Sequence, residues 1–310
     1  MSGDAGPGAR TPRGDREGQT FGGASRLVHY VNLVKLPHTL FALPFALVGA
    51  TLASYGHRVT AGVVGWIVVA FTSARFAAMG FNRIADRELD ARNPRTARRE
   101  LPSGLLDVGE AAAAVVVAAV LFFVASWRLN PICLALAPLA LGWVLFYSYT
   151  KRFTRWSHLV LGLGLAIAPV GGFLAVAGAW SRPWWMLAAL AASVAAWVGG
   201  FDILYALQDV AFDRQHRLHS VPVAFGERGA LLVARVLHAL TILALAAVGV
   251  AAGTGWLYFL GVAVAAALLV YEHSLVRPGD LTRLDAAFFT MNGIISIAFF
   301  GFVLAERLAR

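Results

Sequence analysis

The stretch GFNRIADRELDARNPRTARRELPSG, Gly80 to Gly104, follows a strongly apolar run and sets Asn82, Asp86 and Asp90 four residues apart among six arginines. Four residues along a helix return to nearly the same face, so the spacing predicts one oxygen-bearing stripe. Arg75, seven residues earlier, extends that stripe back into the apolar run. A second stretch, FDILYALQDVAFDRQHRLHSVP from Phe201 to Pro222, repeats the pattern with Asp202, Asp209 and Asp213, and Tyr205 toward one edge. Shifting the sequence by 123 residues lays Asp86 on Asp209 and Asp90 on Asp213, as two related halves would.

Around these charges the chain is apolar. Its 310 residues are 59% hydrophobic and 14% charged, with a mean hydropathy of +0.68. Those values lie outside the range of soluble domains. A membrane span needs about 20 mostly apolar residues. Nine such runs lie near 36–55, 62–82, 108–127, 131–149, 157–178, 183–208, 229–251, 255–276 and 284–305. They lack the alternation of barrel strands, so the expected fold is an all-α integral membrane bundle of nine transmembrane helices with a cytoplasmic cap of loops.

Residues 1–25, rich in Gly, Arg, Asp and Ser, read as a disordered cytoplasmic tail ahead of one polytopic domain over 26–310. The formal charge of +9 gathers in that tail and in the connections after spans two, four, six and eight. This positive-inside bias explains the basic residues through topology rather than nucleic acid. It places the N-terminus and those loops in the cytoplasm, the C-terminus outside, and the chain in the cell (inner) membrane. The single cysteine, Cys133, excludes an internal disulfide framework and a CxxC metal site, and reads as packing.

Charged side chains near a bilayer centre cost at least ~2.5–3.5 kcal/mol each, so they face a polar cavity or one another. Hard oxygen ligands converging from two helices suit Mg²⁺, which takes a few carboxylates, keeps some water and bridges to phosphate. Arg83, Arg87, Arg92, Lys151, Arg152 and Arg214 would complement the phosphate charge. Taken singly, either motif reads equally as capped helix ends on a solvated loop. Intramembrane Asp and Arg also mark ion-coupled transporters, in which Asp86, Asp202 and Asp209 would form a relay. The acidic groups cluster at one surface, however, and neither acidic span is broken by Pro or Gly near its middle as transporter helices are.

Paired Asn/Asp motifs after the second and sixth of nine spans resemble the UbiA superfamily of membrane aromatic prenyltransferases. KLPHTLFALPFALVGA, ARFAAMGFNRIADRELDARNPRTARRELPSG and DILYALQDVAFDRQHRLHSVPVAFG are similar to its 4-hydroxybenzoate polyprenyltransferase branch. That branch includes relatives acting on a dihydroxynaphthoate in the futalosine route to menaquinone. The resemblance implies that Asn82, Asp86, Asp90, Asp209 and Asp213 hold Mg²⁺ and a polyprenyl diphosphate. It also implies that Lys151, in YSYTKRFT, contacts the diphosphate; by charge, Arg83, Arg87, Arg152 and Arg214 are expected to bind it as well. Tyr147 stands where the family has a tyrosine, and Ser148 replaces the proline that often follows it.

The implied reaction transfers the polyprenyl group to a small aromatic acid, 4-hydroxybenzoate or 1,4-dihydroxy-6-naphthoate, with membrane lipid holding the tail. Asp86, Asp209, Lys151 and Arg75 are its expected catalytic residues. Arg75 would bind the acceptor carboxylate, with Tyr147, Asp202 and Tyr205 around it, or would instead pair internally with Asp202. Phe81, Tyr149, Phe201 and Tyr205 would shield a substrate cation or simply pack. His38 reads as a satisfied polar residue and His219 as ordering its loop. A haem- or chlorophyll-type prenyltransferase would share both motifs with a larger acceptor pocket.

Overall fold

The computed structural model describes residues 25–276 and 290–310, together with Phe21, Gly23, Gly279, Leu281 and Leu284; the side chains of residues 36–41 lie outside the description. The expected N-terminal tail therefore falls almost entirely outside the described residues, as do the side chain of His38 and part of the ninth apolar run. Every regular element among the described residues is helical.

Seven helical segments are long and apolar enough to cross a membrane. They are α3 (Ala61–Ala85), α5 (Val108–Leu129), α6 (Pro131–Thr150), α7 (Ser157–Ala177), α8 (Trp185–Ala206) with its continuation to Gln215, α10 (Val221–Ala251) and α11 (Trp256–Leu275). The first and ninth expected spans correspond to α2 (Leu36–Ala53) and α12 (Asn292–Leu308). A short α1 (Arg26–Leu33) precedes them, and two six-residue helices, α4 (Arg87–Arg92) and α9 (Val210–Gln215), follow the acidic spans.

Local chemistry sets the helix starts. The Thr60 hydroxyl accepts from Val63 N at 3.3 Å, and Asp107 accepts from Gly109 N at 2.7 Å. Asn130, just before Pro131, accepts from Cys133 N at 3.0 Å. Ser220, two residues before Pro222, accepts from Val223 N at 3.3 Å. Each supplies an acceptor to amides the helix cannot satisfy itself. Within α10, Gly226 takes φ 69°, ψ 176° and separates a short arm from the long span, a conformation that glycine alone adopts without strain.

The helices form two rings sharing the α2–α7 seam. In one, α2, α3, α5, α6 and α7 are neighbours in succession; in the other, α2, α7, α8, α10, α11 and α12 are. At the seam a Cβ on Gly49 would stand 1.9 Å from the Pro169 carbonyl oxygen, and one on Gly172 would stand 2.0 Å from that of Ala46. Lipid tails are as apolar as leucine, so close backbone packing through small residues is what holds such helices together. The second ring is filled by a large core in which Phe45, Trp197, Phe299 and Tyr258 pack with Leu187, Leu190 and Val194. Cys133 packs against that core from α6. Leu139, Leu243, Val250 and Val270 are exposed on the outside, where lipid would cover them.

Neither acidic stripe lies on one unbroken helix, which corrects the simplest reading of the spacing. Asp86 ends α3 and precedes α4 with φ −100°, ψ 7°. Asp209 precedes α9 with φ −100°, ψ 1°, after one 3₁₀ turn, Leu207–Asp209. The four-residue bonding survives the first break, with Asp86 N bonding Asn82 O at 2.9 Å and Asp90 N bonding Asp86 O at 2.8 Å. The periodicity therefore persists while the helix leaves its regular dihedrals. The 123-residue shift also maps Arg87–Arg92 onto Val210–Gln215 residue for residue.

Candidate active site

One chamber of about 860 Å³ lies inside the first ring against α8. Its polar end is lined by Asn82, Asp86, Asp90, Asp209, Asp213 and Lys151, and Arg75 and Asp202 also line it. Arg75 precedes Asn82, and Asp202 precedes Asp209, by seven residues, about 10 Å of helix. Both are therefore displaced along their helices toward the membrane interior. Phe71, Trp143, Trp197 and Phe201 belong to its apolar walls. Leu136, Leu139 and Leu163 line it and are themselves exposed, so it reaches the outer surface beside α6 and α7.

At the first break, Asn82 Nδ2 donates to Asp86 Oδ2 at 2.9 Å. Arg152 donates to Asp86 Oδ1 at 3.2 Å and to the Ala85 carbonyl at 2.7 Å. Burial pushes the Asp86 carboxyl above its ordinary value, and the like charge of Asp90 adds to this; Arg152 and Lys151 pull it back. Asp90 is buried and accepts from Arg99 at 2.7 Å, with Arg83 3.9 Å from its other oxygen.

The second break is clamped more tightly. Arg95 grips Asp209 with both arms of its guanidinium, at 3.0 and 2.6 Å, and donates to the Tyr205 hydroxyl at 3.2 Å. Asn93 reaches the same carboxylate at 3.4 Å. A two-pronged pair of this kind fixes orientation as well as charge. Lys151, capping α6, lies 3.9 Å from Asp213. Burial pulls its ammonium down, but Asp213, Asp202, Asp209 and Asp86 together outweigh that and leave it above the ordinary lysine value. His219 N donates to the Lys151 carbonyl at 2.7 Å, tying the loop after the second motif to the basic end of α6.

The donor set fits Mg²⁺ in a particular way. Among the described residues no three His, Cys, Asp or Glu lie close enough to cage one ion. Oδ2 of Asp90 and Oδ2 of Asp213 are nevertheless buried with no hydrogen-bond partner. Mg²⁺ suits such a site, because it binds through one or two carboxylates and completes its octahedron with water and phosphate oxygen.

The expected residues divide clearly. Arg83, Arg152, Tyr147 and Tyr205 line the chamber. Arg87 and Arg214, expected at the diphosphate, do not: both are exposed, and Arg87 instead lies 3.8 Å from Glu88. Arg92 is exposed as well. Their helices are a single turn or two long and project them outward from the break. Phe201 lines the chamber, whereas Phe81 and Tyr149 stand edge to face at 6.0 Å and do not line it. No Arg75–Asp202 ion pair forms among the described residues; Asp202 is held by His158 at 2.6 Å. Lys35, Asn93, Arg95 and Arg99 also line the chamber, and His158 touches it through Asp202, though the sequence does not single them out. Arg95 and Arg99 lay in the opening stretch one helical turn apart, and His158 was the one titratable residue in an otherwise apolar span.

The fold and the chamber are those of a multi-pass helical bundle whose polar pocket gathers carboxylates and basic side chains. The model of the UbiA prenyltransferase family matches residues 42–294, and the chain belongs to that family. It is 31% identical over 246 residues to the 4-hydroxybenzoate octaprenyltransferase of Citrobacter koseri, covering 77% of this chain and 83% of that one. It is 30% identical over 288 residues to the enzyme of the same name from Aromatoleum aromaticum, covering 91% and 95%. Among solved structures, a UbiA homologue from Aeropyrum pernix K1 in its apo state superposes with a TM-score of 0.79 at 32% identity, over 87% of this chain and 98% of that one. A UbiA homologue from Archaeoglobus fulgidus, bound to GPP and Mg²⁺, shares the fold with a TM-score of 0.69 at 20% identity, over 90% and 99%.

Proposed function

We propose that the protein transfers a polyprenyl group from polyprenyl diphosphate to a small aromatic acid, 4-hydroxybenzoate or 1,4-dihydroxy-6-naphthoate, in quinone synthesis. The observation that carries the reading is a single chamber joining carboxylates and cations at one end to Arg75 and apolar walls at the other. Bound Mg²⁺, held by Asn82, Asp86, Asp90, Asp209 and Asp213, supplies neutralisation of the diphosphate charge.

Lys151, Arg83 and Arg152 attract the diphosphate and stabilise the charge that grows on its oxygen as the allylic C–O bond breaks. Arg95 and Arg99, now paired with Asp209 and Asp90, lie within reach of the same anion. Phe201 and Tyr205, both in the lining, would stabilise the allylic cation through their rings. Arg75 orients the acceptor through its carboxylate, beside Tyr147. The opening beside α6 and α7 lets the isoprenoid tail remain in lipid. The site faces the cytoplasm across the inner membrane, with the N-terminus on that side and the C-terminus outside; residues 26–310 act as one unit.

Purified protein incubated with radiolabelled polyprenyl diphosphate, Mg²⁺ and either acceptor yields a lipid-soluble aromatic product. Folded protein that makes no such product from either acceptor would refute the reading.

A further inference from the structure

Five aspartates line the chamber, and one is held differently from the rest. Asp86, Asp90, Asp209 and Asp213 each have an Arg or Lys nitrogen at 3.2, 2.7, 2.6 and 3.9 Å. Asp202 has no such cation among the described residues. Its Oδ2 instead meets Nδ1 of His158 at 2.6 Å. His158 is fully buried in the first turn of α7, and Val221 N, at the start of α10, points to its Nε2 at 3.3 Å.

That second contact decides the proton's position. A backbone amide can only donate, so Nε2 accepts and the proton of the neutral ring sits on Nδ1, donating to Asp202. The imidazole is thus pinned in one tautomer by α8 and α10. Asp202 lines the chamber with its side chain 17% exposed, and its Oδ1 has no hydrogen-bond donor and no cation within 4 Å among the described residues. Asp202 also lies about 10 Å along α8 from Asp209, toward the Arg75 side and away from the diphosphate end.

We propose that Asp202 accepts the ring proton at the end of the transfer and that His158 is the positioning residue that holds it for that step. The proposal rests on the prenyl-transfer reading above. An acceptor ring carbon bonds to the allylic carbon as the C–O bond to diphosphate breaks, the electron pair going with the diphosphate. The ring C–H bond then gives its electrons back to the ring, and the proton passes to Asp202 Oδ1. A carboxylate becomes a carboxylic acid, aromaticity returns, and the proton is later released to water at the polar end.

The test uses the full-length protein and an acceptor deuterated at the carbon that is prenylated, with Asp202→Asn, His158→Phe and His158→Asn. Asparagine at 158 can present a donor near the Nδ1 position; phenylalanine cannot. Asp202→Asn is expected to lower kcat about 100-fold or more, the scale of a lost general base, with KM for the polyprenyl diphosphate little changed. A primary deuterium isotope effect absent from the wild type then appears. His158→Phe is expected to lose about 10–100-fold in kcat, as outer hydrogen-bond partners do, with the same isotope effect, and His158→Asn to recover most of it. Asp202→Asn turning over at the wild-type rate without an isotope effect overturns the proposal. So does equal behaviour of the two His158 variants, with thermal unfolding checking that each is folded. Wild-type protein that makes no C-prenylated product overturns the underlying reading instead, so the two failures are distinct.

Discussion

The two acidic breaks share a backbone but not a setting. Asp86 and Asp209 have the same φ of −100° and ψ of 7° and 1°, and the short helices after them coincide under one shift. Yet few residues in the apolar stretch of the span before Asp86 are buried within the protein, whereas most of those in the span leading to Asp209 are. Asp86 has a single partly exposed arginine beside it, whereas Asp209 is gripped by Arg95 and Asn93 from the other half. Equivalent residues can therefore carry equivalent chemistry while only one of them also holds the fold together.

The comparison breaks first on activity. Asp86→Ala and Asp209→Ala are each expected to lower prenyl transfer about 100-fold or more, the scale on which single electrostatic groups act in active sites; radiolabelled product formation measures this. Near-normal turnover in either would make that break a structural joint alone.

Stability should then separate them. Asp209→Ala takes the Asp209 carboxylate from Arg95, a quarter exposed, and is expected to cost about 1–3 kcal/mol. Asp86→Ala, which leaves a partly exposed arginine that water can solvate, should cost about 0–1 kcal/mol. Thermal unfolding in detergent gives the difference, and Arg95→Ala added to Asp209→Ala should recover part of the loss through a double-mutant cycle. Equal costs would erase the asymmetry.

A smaller effect concerns Lys151, which feels carboxylates of both breaks. Its folded value is raised, so its stabilising charge is fully present below the ordinary lysine value and is lost only as pH rises through the raised one. Asp202→Asn removes one attracting charge while burial remains. The alkaline loss of affinity for an unreactive diphosphate analogue should move to lower pH in that variant. An unmoved profile would mean that Asp202 does not reach Lys151 electrostatically. Least of all, Arg87→Ala and Arg214→Ala should change stability by no more than about 0.5 kcal/mol, as exposed substitutions do, and leave kcat near wild type. A large loss in either would put the diphosphate nearer the surface than the chamber.

The spans and both motifs were legible because hydropathy and four-residue spacing are local properties. The breaks were not, since Asp86 and Asp90 keep their backbone bonds to residues four back and the spacing passes straight through. Arg87 and Arg214 looked equivalent to Arg83 and Arg152 in a sequence, where which side of a one-turn helix faces inward is not written. The Arg95–Asp209 grip joins residues 114 apart. The His158–Asp202 bond joins residues 44 apart and depends on how α7 lies against α8. Such pairings come from packing, not from spacing.

The same long-range grip bears on how the protein is made. Arg99 finds Asp90 nine residues away, a contact available as soon as that loop has left the ribosome. Arg95 must wait for Asp209, which is translated 114 residues later. During synthesis the first half therefore enters the membrane with its latch open, and arrival of the second acidic helix end closes it. One wall of the chamber thus depends on a handshake between an early arginine and a late aspartate.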